Sequence, residues 1–163
     1  MRRRSPQIRP RVLLVDTNVL LVLLLGASDP AHIQRFKRTH AYSAADFELL
    51  TDFISGFSEL VVTPNVLTEA SNLAGQLAEP LRSEVFTSLA VLATQTAERY
   101  FPSRDAVREV DFVRLGLADI SVLLAARERV MVLTDDLQLY LRLAALNLHV
   151  VNYHHLREGA VEG

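Results

Sequence analysis

The sequence predicts an α/β domain built on a parallel sheet, and three observations lead to this fold class. Short, wholly apolar runs rich in β-branched residues recur along the chain, as expected for strands buried on both faces. Longer segments with apolar side chains at helical spacing separate these runs. Half of the 163 residues are apolar, which is enough for the core of one domain and too many for a disordered chain. Strands that alternate with helices in this way are typical of parallel sheets.

In the first half of the chain, capping residues and prolines mark the element boundaries. The predicted elements are, in order, a strand at residues 12–15, a helix at 19–25 that stops at Gly26, an irregular stretch to residue 43, a helix at 45–57, a strand at 60–63 and a helix that begins at Pro64. The run from Asp16 to Asn18 follows the first strand, and all three residue types cap helices well. Thr63 and Pro64 suit the cap and the first position of a helix.

In the second half, apolar periodicity again separates helices from short strands. The predicted elements are a helix from residue 80 to about residue 100, a brief strand at 99–101, a charged amphipathic helix at 104–114 that ends at Gly116, a helix at 118–129, a strand at 130–134, a helix at 137–146 and a strand at 148–151. One domain is expected over residues 12–157. Residues 1–11 have two prolines and no apolar period, so they are expected to form a flexible basic arm, and residues 158–163 a flexible tail.

The composition excludes several classes of protein and site. The chain has no cysteine, which rules out disulfide scaffolds, thiolate metal sites and cysteine nucleophiles. No zinc-ligand motif, glycine-rich phosphate loop or serine-nucleophile motif occurs. The most apolar stretch, residues 12–25, includes Asp16 and is shorter than the ~20 apolar residues of a membrane-spanning helix. It also lacks a small-residue cleavage site, so a soluble, cytoplasmic protein is expected rather than an exported one.

Basic residues are unevenly distributed along the chain, whose formal net charge is −2. Residues 1–11 contain five arginines and no acid, which leaves a charge of −7 on the rest of the chain. Each basic residue alone is explained more simply as solvated surface charge, but together they suit contacts to a nucleic-acid backbone. The candidate contacts are Arg2, Arg3, Arg4, Lys37, Arg38, Arg104 and Arg108.

Acidic side chains occupy four places at which chemistry is expected. Asp16 directly follows one predicted strand and Asp135 and Asp136 follow another, so they lie where open α/β sheets bind ligands. Glu69 lies along the edge of an apolar helix stripe, and Asp119 lies at the start of an apolar helix. Each acid alone is explained as well by helix capping or by surface exposure. A cluster of carboxylates, however, is costly without a cation, and carboxylate oxygens suit Mg²⁺ or Mn²⁺.

Four segments around these acids resemble the motifs of the PIN-domain nucleases. They are VLLVDTNVLL with Asp16, TPNVLTEASNLA with Glu69, GLADISVLLAA with Asp119, and VLTDDLQLY with Thr134, Asp135 and Asp136. The order and spacing of these segments carry the resemblance, which covers roughly residues 12–152. It implies a three-layer α/β/α sandwich with a central parallel sheet, and a divalent-metal-dependent ribonuclease that hydrolyses RNA phosphodiester bonds.

The resemblance also implies which residues act. The implied catalytic acids, which would bind Mg²⁺ or Mn²⁺, are Asp16, Glu69, Asp119 and Asp136. Asp135 is the alternative fourth ligand, but the usual acidic position of the family is the second residue after Thr134, which favours Asp136. The hydroxyl of Thr17 is expected to orient a ligand oxygen, and Asn18 to cap the first helix and brace the first acid. Thr134 belongs to the same set of supporting residues.

Many small members of this family are toxins of bacterial toxin–antitoxin pairs, of the VapC-like kind. The resemblance therefore implies an RNA substrate, a cognate antitoxin protein and a homodimer as partners. The long segment before Glu69 and the basic arm depart from a minimal toxin. A catalytically silent PIN-type module that binds RNA or protein is the alternative function. A receiver-like regulatory module is disfavoured, because it needs a lysine after a late strand and Lys37 is the only lysine.

Overall fold

The structure is a computed structural model that describes residues 10–161. Its strands are β1 (Val12–Val15), β2 (Glu59–Val62), β3 (Ala97–Glu98), β4 (Met131–Thr134) and β5 (Val150–Asn152). Its helices are α1 (Thr17–Ser28), α2 (Ala44–Ser55), α3 (Pro64–Ala74), α4 (Leu81–Gln95), α5 (Ser103–Ala106), α6 (Phe112–Ala126), α7 (Leu137–Ala145) and α8 (Tyr153–Val161), with a 3₁₀ helix at Pro30–Arg35. Most of the predicted basic arm, including Arg2, Arg3 and Arg4, lies outside the described residues.

The strands form one parallel sheet in the order β3-β2-β1-β4-β5, and helices flank it. This is the three-layer α/β/α sandwich that the sequence predicts. β1 lies in the centre, where Leu14 is paired with Val61 on one side and with Val132 on the other. The run from Leu13 to Val15 is fully buried, because a strand with no polar side chain is stable only when both of its faces are covered.

Helix α1 is buried on almost all sides. It contacts α2, α3, α4 and the 3₁₀ helix, and most of its side chains are inaccessible to solvent. A helix that is apolar all round needs such cover, and the long connection between β1 and β2 supplies part of it. Within residues 10–161, no helix is both long and apolar enough to cross a membrane.

The predicted end of the first helix at Gly26 is wrong, since α1 continues to Ser28. Gly26 lies where the ring of Phe47 from α2 packs against the α1 backbone, and a Cβ at this position would overlap the ring. The glycine therefore permits the close approach of two helices instead of ending one. The segment that follows is more regular than predicted, because Pro30 starts the 3₁₀ helix and Asp29 caps it.

The predicted helix over residues 104–114 is also wrong. Only α5 and the first residues of α6 are helical there, and turns connect the two. Gly116 interrupts α6 with a φ of 80°, a conformation that glycine adopts without steric cost. Beyond this break, α6 continues as the predicted helix that carries Asp119.

Several further elements differ from the prediction at their ends, and helix α4 stops at Gln95 instead of about residue 100. Strand β3 forms at Ala97–Glu98 instead of 99–101, because those two residues are the ones in register with the end of β2. Helix α8 continues past residue 157 to Val161, so the predicted flexible tail begins inside a helix. Arg157 of α8 forms an ion pair with Asp46 of α2, with 3.0 Å between Nε and Oδ1, and this contact holds α8 against the domain.

Candidate active site

The order of strands reverses at the centre of the sheet, and this brings two strand ends together. From β1 the sheet grows through β2 and β3 on one side and through β4 and β5 on the other. Open α/β sheets bind ligands beyond the carboxyl ends of the strands at such a switch point. Asp16 follows β1, and Asp135 and Asp136 follow β4, so three of the candidate acids lie at this place.

A cavity of about 240 Å³ opens at this edge of the sheet, and we call it the acid cavity. Its lining residues are Asp16, Thr17, Asn18, Arg38, Glu69, Leu115, Gly116, Leu117, Ala118, Asp119 and Asp136. The four acids that the sequence motifs predict to be catalytic therefore line one cavity, although they come from four separate parts of the chain. Asp135, the alternative fourth ligand, is not among the lining residues.

Asp16 is buried and hydrogen-bonded on both carboxylate oxygens. Its Oδ1 accepts from the backbone N–H of Val19, 3.1 Å away, and thereby caps α1, while its Oδ2 accepts from the hydroxyl of Thr134. The Oγ1 atom of Thr134 in turn accepts from the backbone N–H of Asp136 at 3.0 Å, so that Thr134 joins the two acids. Burial above all, and then the negative charge of Asp135, raises the pKa of Asp16 to about 8.

Glu69 and Asp119 reach the cavity from two helices that are connected by a hydroxyl pair. Thr63 caps α3 by accepting from a backbone N–H at 3.2 Å, and its hydroxyl is also 2.7 Å from the hydroxyl of Ser121 on α6. Glu69 is exposed, whereas Asp119 is half-buried. Burial raises the pKa of Asp119 to about 7, and the charges of Asp136 and Glu69 add to this effect.

Asp135 and Asp136 are adjacent in sequence but have different surroundings. Asp136 lines the cavity and caps α7 by accepting from a backbone N–H at 2.9 Å. Asp135 accepts from the hydroxyl of Tyr42 at 2.6 Å and from the side-chain amide of Asn18 at 3.3 Å. The prediction that Asn18 caps α1 and braces Asp16 is therefore wrong, because Asp16 caps the helix itself and the amide contacts Asp135 instead.

Tyr42 is a residue beside the site that the sequence did not indicate. It is 4% exposed, and its ring packs on that of Tyr153 with the centroids 5.0 Å apart. Burial, followed by the charge of Asp135, raises the pKa of Tyr42, so the hydroxyl keeps its proton and donates it in a hydrogen bond. The contact joins residues 93 positions apart, and no local sequence pattern marks it.

The candidate basic contacts are separated by the fold. Arg38 lines the acid cavity, whereas its neighbour Lys37 is exposed and does not. Arg104 and Arg108 lie on α5 and on the turn after it, and neither lines the cavity. Nη1 of Arg108 is 3.9 Å from Oδ1 of Asp105. Among the described residues, Arg38 is thus the candidate that the fold brings to the acids.

The acid cavity has the donor chemistry of a site for a hard divalent cation. Four carboxylates and one guanidinium line it, which leaves an excess of negative charge, and Mg²⁺ and Mn²⁺ prefer such oxygen donors. Within residues 10–161, no group of three or more acidic or histidine side chains has an arrangement that could hold a metal ion. Mutual repulsion between carboxylates favours this spread arrangement. The residues present therefore match the implied cation in donor type and charge, and not in a ready ligand geometry.

A second polar cavity, of about 380 Å³, adjoins the first. Its lining residues are Asn65, Thr68, Glu69, Asn72, Leu117 and Ala118, three of which also line the acid cavity. This second cavity extends the site along α3, past the uncharged polar side chains of Asn65, Thr68 and Asn72. A third cavity, of about 450 Å³, lies between α1, α4 and β2, and none of the candidate residues lines it.

The sequence was also compared with known proteins. No protein-family model and no curated protein sequence matches the chain. The functional interpretation therefore depends on the four motifs and on the geometry of the cavity at which they meet.

Proposed function

We propose that this protein is a divalent-metal-dependent ribonuclease, of the kind that the PIN-domain resemblance implies, and that RNA phosphodiester bonds are hydrolysed at the acid cavity. The observation that carries the proposal is the meeting of Asp16, Glu69, Asp119 and Asp136 in one cavity at the switch point of the sheet. Helix capping explains two of these acids one at a time. It does not explain why four should line the same cavity.

The protein groups have distinct tasks in this proposal. Asp16 and Asp119 are the central cation ligands, because burial and mutual charge make their ionised forms costly until a cation is present. Glu69 and Asp136, both exposed, complete the ligand set from α3 and from the start of α7. When bound, Mg²⁺ or Mn²⁺ supplies positive charge for the phosphate and makes water a better nucleophile. Thr134 fixes the orientation of the Asp16 carboxylate through its hydroxyl.

The partners in this proposal follow from the same resemblance. RNA is the substrate, a cognate antitoxin protein is the regulator, and the protein acts as a cytoplasmic homodimer. A small antitoxin-like reading frame next to the gene is expected, and its absence would contradict the toxin assignment without affecting the nuclease assignment. Sedimentation of the purified chain measures the dimer directly.

Cleavage of an unstructured, end-labelled RNA with Mn²⁺ tests the enzymatic proposal. Wild-type protein is expected to cleave, and EDTA is expected to stop the reaction. Asp16→Asn and Asp119→Asn are each expected to lower the rate by about 100-fold or more, because each removes a charged cation ligand and keeps its shape. Circular dichroism of each variant checks that the fold is retained.

Asp105→Asn is the matched control, since Asp105 is a surface aspartate outside the acid cavity. It is expected to cleave at the wild-type rate. Full Mn²⁺-dependent cleavage by Asp16→Asn would refute the proposal. Calorimetric titration with Mn²⁺ distinguishes the enzyme from the alternative, a catalytically silent binding module. Such a module would bind RNA but no Mn²⁺.

A further inference from the structure

The acid cavity has one basic side chain on its lining, that of Arg38. This residue lies in the turn between the 3₁₀ helix and α2, and it is exposed. Although it faces four carboxylates, it forms no ion pair within the part of the chain that the structure describes. A guanidinium that served only to neutralise the acids would be expected to pair with one of them. Arg38 is instead left available to another anion.

The turn that carries Arg38 is fixed at its own base. Thr39, which follows it, is fully buried, and its hydroxyl donates to the carbonyl of Ile33 at 2.7 Å. The backbone N–H of Thr39 donates to the carbonyl of Phe36 at 3.0 Å, and that of Tyr42 donates to the carbonyl of Thr39 at 2.9 Å. Because the side chains of Ile33 and Phe36 are buried in the core, these bonds hold the backbone on both sides of Arg38.

The same turn is also tied to the sheet edge from which the acids project. The Tyr42 hydroxyl donates to Oδ2 of Asp135 at 2.6 Å, and Asp135 immediately precedes the cavity residue Asp136. The side-chain amide of Asn18 donates to the other carboxylate oxygen of Asp135, so Asp135 also links the turn to the start of α1. The Tyr42–Asp135 hydrogen bond thus joins the turn that carries Arg38 to the end of β4, after which Asp136 lines the acid cavity.

We propose that Arg38 is a substrate-binding residue that contacts an RNA phosphate beside the acid cavity, and that the Tyr42–Asp135 hydrogen bond positions it there. The inference rests on the proposed ribonuclease function and names a further residue for it. A planar guanidinium binds phosphate oxygens in pairs, and the carboxylate cavity alone would repel the strand on either side of the cleaved bond. Tyr42 acts through Asp135 and the turn, and is a positioning residue.

Fluorescence anisotropy with a labelled single-stranded RNA, and with Ca²⁺ in place of Mn²⁺ to limit turnover, tests the role of Arg38. Arg38→Ala is expected to weaken binding by about 5- to 10-fold and to lower the salt dependence by about one phosphate contact. Arg38→Lys is expected to keep the salt dependence with an intermediate affinity, because lysine keeps the charge but not the paired geometry. Arg35→Ala is the matched control, since this exposed arginine of the 3₁₀ helix lines a different cavity.

Tyr42→Phe tests the positioning role, because phenylalanine keeps the packing and removes the hydroxyl. It is expected to weaken RNA binding by about 2- to 5-fold in the wild-type background and to have no effect in the Arg38→Ala background, since the two residues act through one contact. A loss that is equal in both backgrounds would show a general structural effect and would overturn the positioning role. Thermal melting of Tyr42→Phe checks that the domain is intact.

Parallel cleavage assays with Mn²⁺ separate this inference from the proposed function. If wild-type protein cleaves RNA and Arg38→Ala binds and cleaves like Arg35→Ala, the inference fails and the ribonuclease proposal stands. If wild-type protein binds RNA through Arg38 but never cleaves it, the ribonuclease proposal fails and the binding role stands. Wild-type protein that binds no RNA would overturn both.

Discussion

Asp16 and Asp136 each cap a helix while their side chains line the acid cavity. From the sequence, capping and cation binding are competing explanations of an aspartate after a strand. In the structure they are compatible, because a carboxylate has about four acceptor sites and a cap occupies only one of them. Capping also limits the rotamer of the side chain, so the remaining acceptor sites of the carboxylate have defined directions, even in Asp16, whose second oxygen already accepts from Thr134.

Asp119→Asn is expected to stabilise the metal-free protein at about pH 8 by about 1–2 kcal/mol, a figure reduced for solvent screening of a half-buried group. In the folded protein the pKa of Asp119 is about 7, against an ordinary value of 3.8. The unfolded chain therefore loses its proton first, and the free energy of unfolding falls as the pH rises from about 4 to about 7. Asparagine has the same shape and does not titrate. Urea unfolding in EDTA at about pH 5 and about pH 8 measures the difference.

The surface variant Asp105→Asn provides the comparison for this measurement. Asp105 makes a single exposed ion pair, so its replacement is expected to leave stability nearly unchanged at both pH values. The stabilisation of Asp119→Asn should be larger at the higher pH. A gain of equal size at both pH values would contradict the idea that carboxylate charge in the cavity is costly.

At the scale of elements, strand centres and helix starts could be predicted from local sequence, whereas helix ends could not. β1 and β4 are short apolar runs, which are stable only as buried strands. Thr63 and Pro64 mark a helix start, because threonine caps a helix and proline suits its first position. Glycine is ambiguous by comparison. Gly116 was predicted to end a helix and instead interrupts α6 with its positive φ, whereas Gly26 lies inside a helix and makes room for a ring from another helix.

The same contrast applies to the candidate site. The four acids of the cavity were predictable, because each lies at a strand end or on a helix with a clear apolar period. The placement of Arg38 and the Tyr42–Asp135 bond were not, because they lie in a stretch without periodicity and depend on contacts across the chain. Sequence patterns report on neighbours along the chain, and these two features are made by neighbours in space.

Gly26→Ala is expected to destabilise the protein by about 1–3 kcal/mol, because the added methyl group forces the ring of Phe47 away from α1. The better helix propensity of alanine opposes this loss but is smaller. Chemical denaturation measures the effect. Gly159→Ala is the matched control, since glycine 159 is also helical and has open space around its Cβ position; it is expected to be neutral or slightly stabilising. Equal effects of the two substitutions would contradict the packing argument.

At the scale of the whole molecule, the sheet order collects residues from most of the chain into one site. The lining of the acid cavity extends from residue 16 to residue 136. The first strand is central, so the residues after it meet those that follow a strand more than a hundred positions later. β1 and α1 are part of the apolar core, and the acids lie at the edge of this core.

Mn²⁺ at about 100 times its dissociation constant is expected to stabilise the folded protein by about 2.7 kcal/mol, because the cation binds the folded cavity and not the unfolded chain. For a domain of this size, the melting temperature should rise by about 5–10 °C. The doubly substituted Asp16→Asn/Asp119→Asn protein should not respond to Mn²⁺. An equal Mn²⁺ shift in both proteins would place the cation elsewhere.

The central position of β1 also has a consequence for how the protein is made. β1 emerges first during synthesis and can pair with β2, but its other edge stays open until residues 131–134 arrive. Asp119 and Asp136 belong to the same late part of the chain. A growing chain therefore has no complete acid cavity while it is still short, and the cavity can form only when nearly the whole domain has been translated.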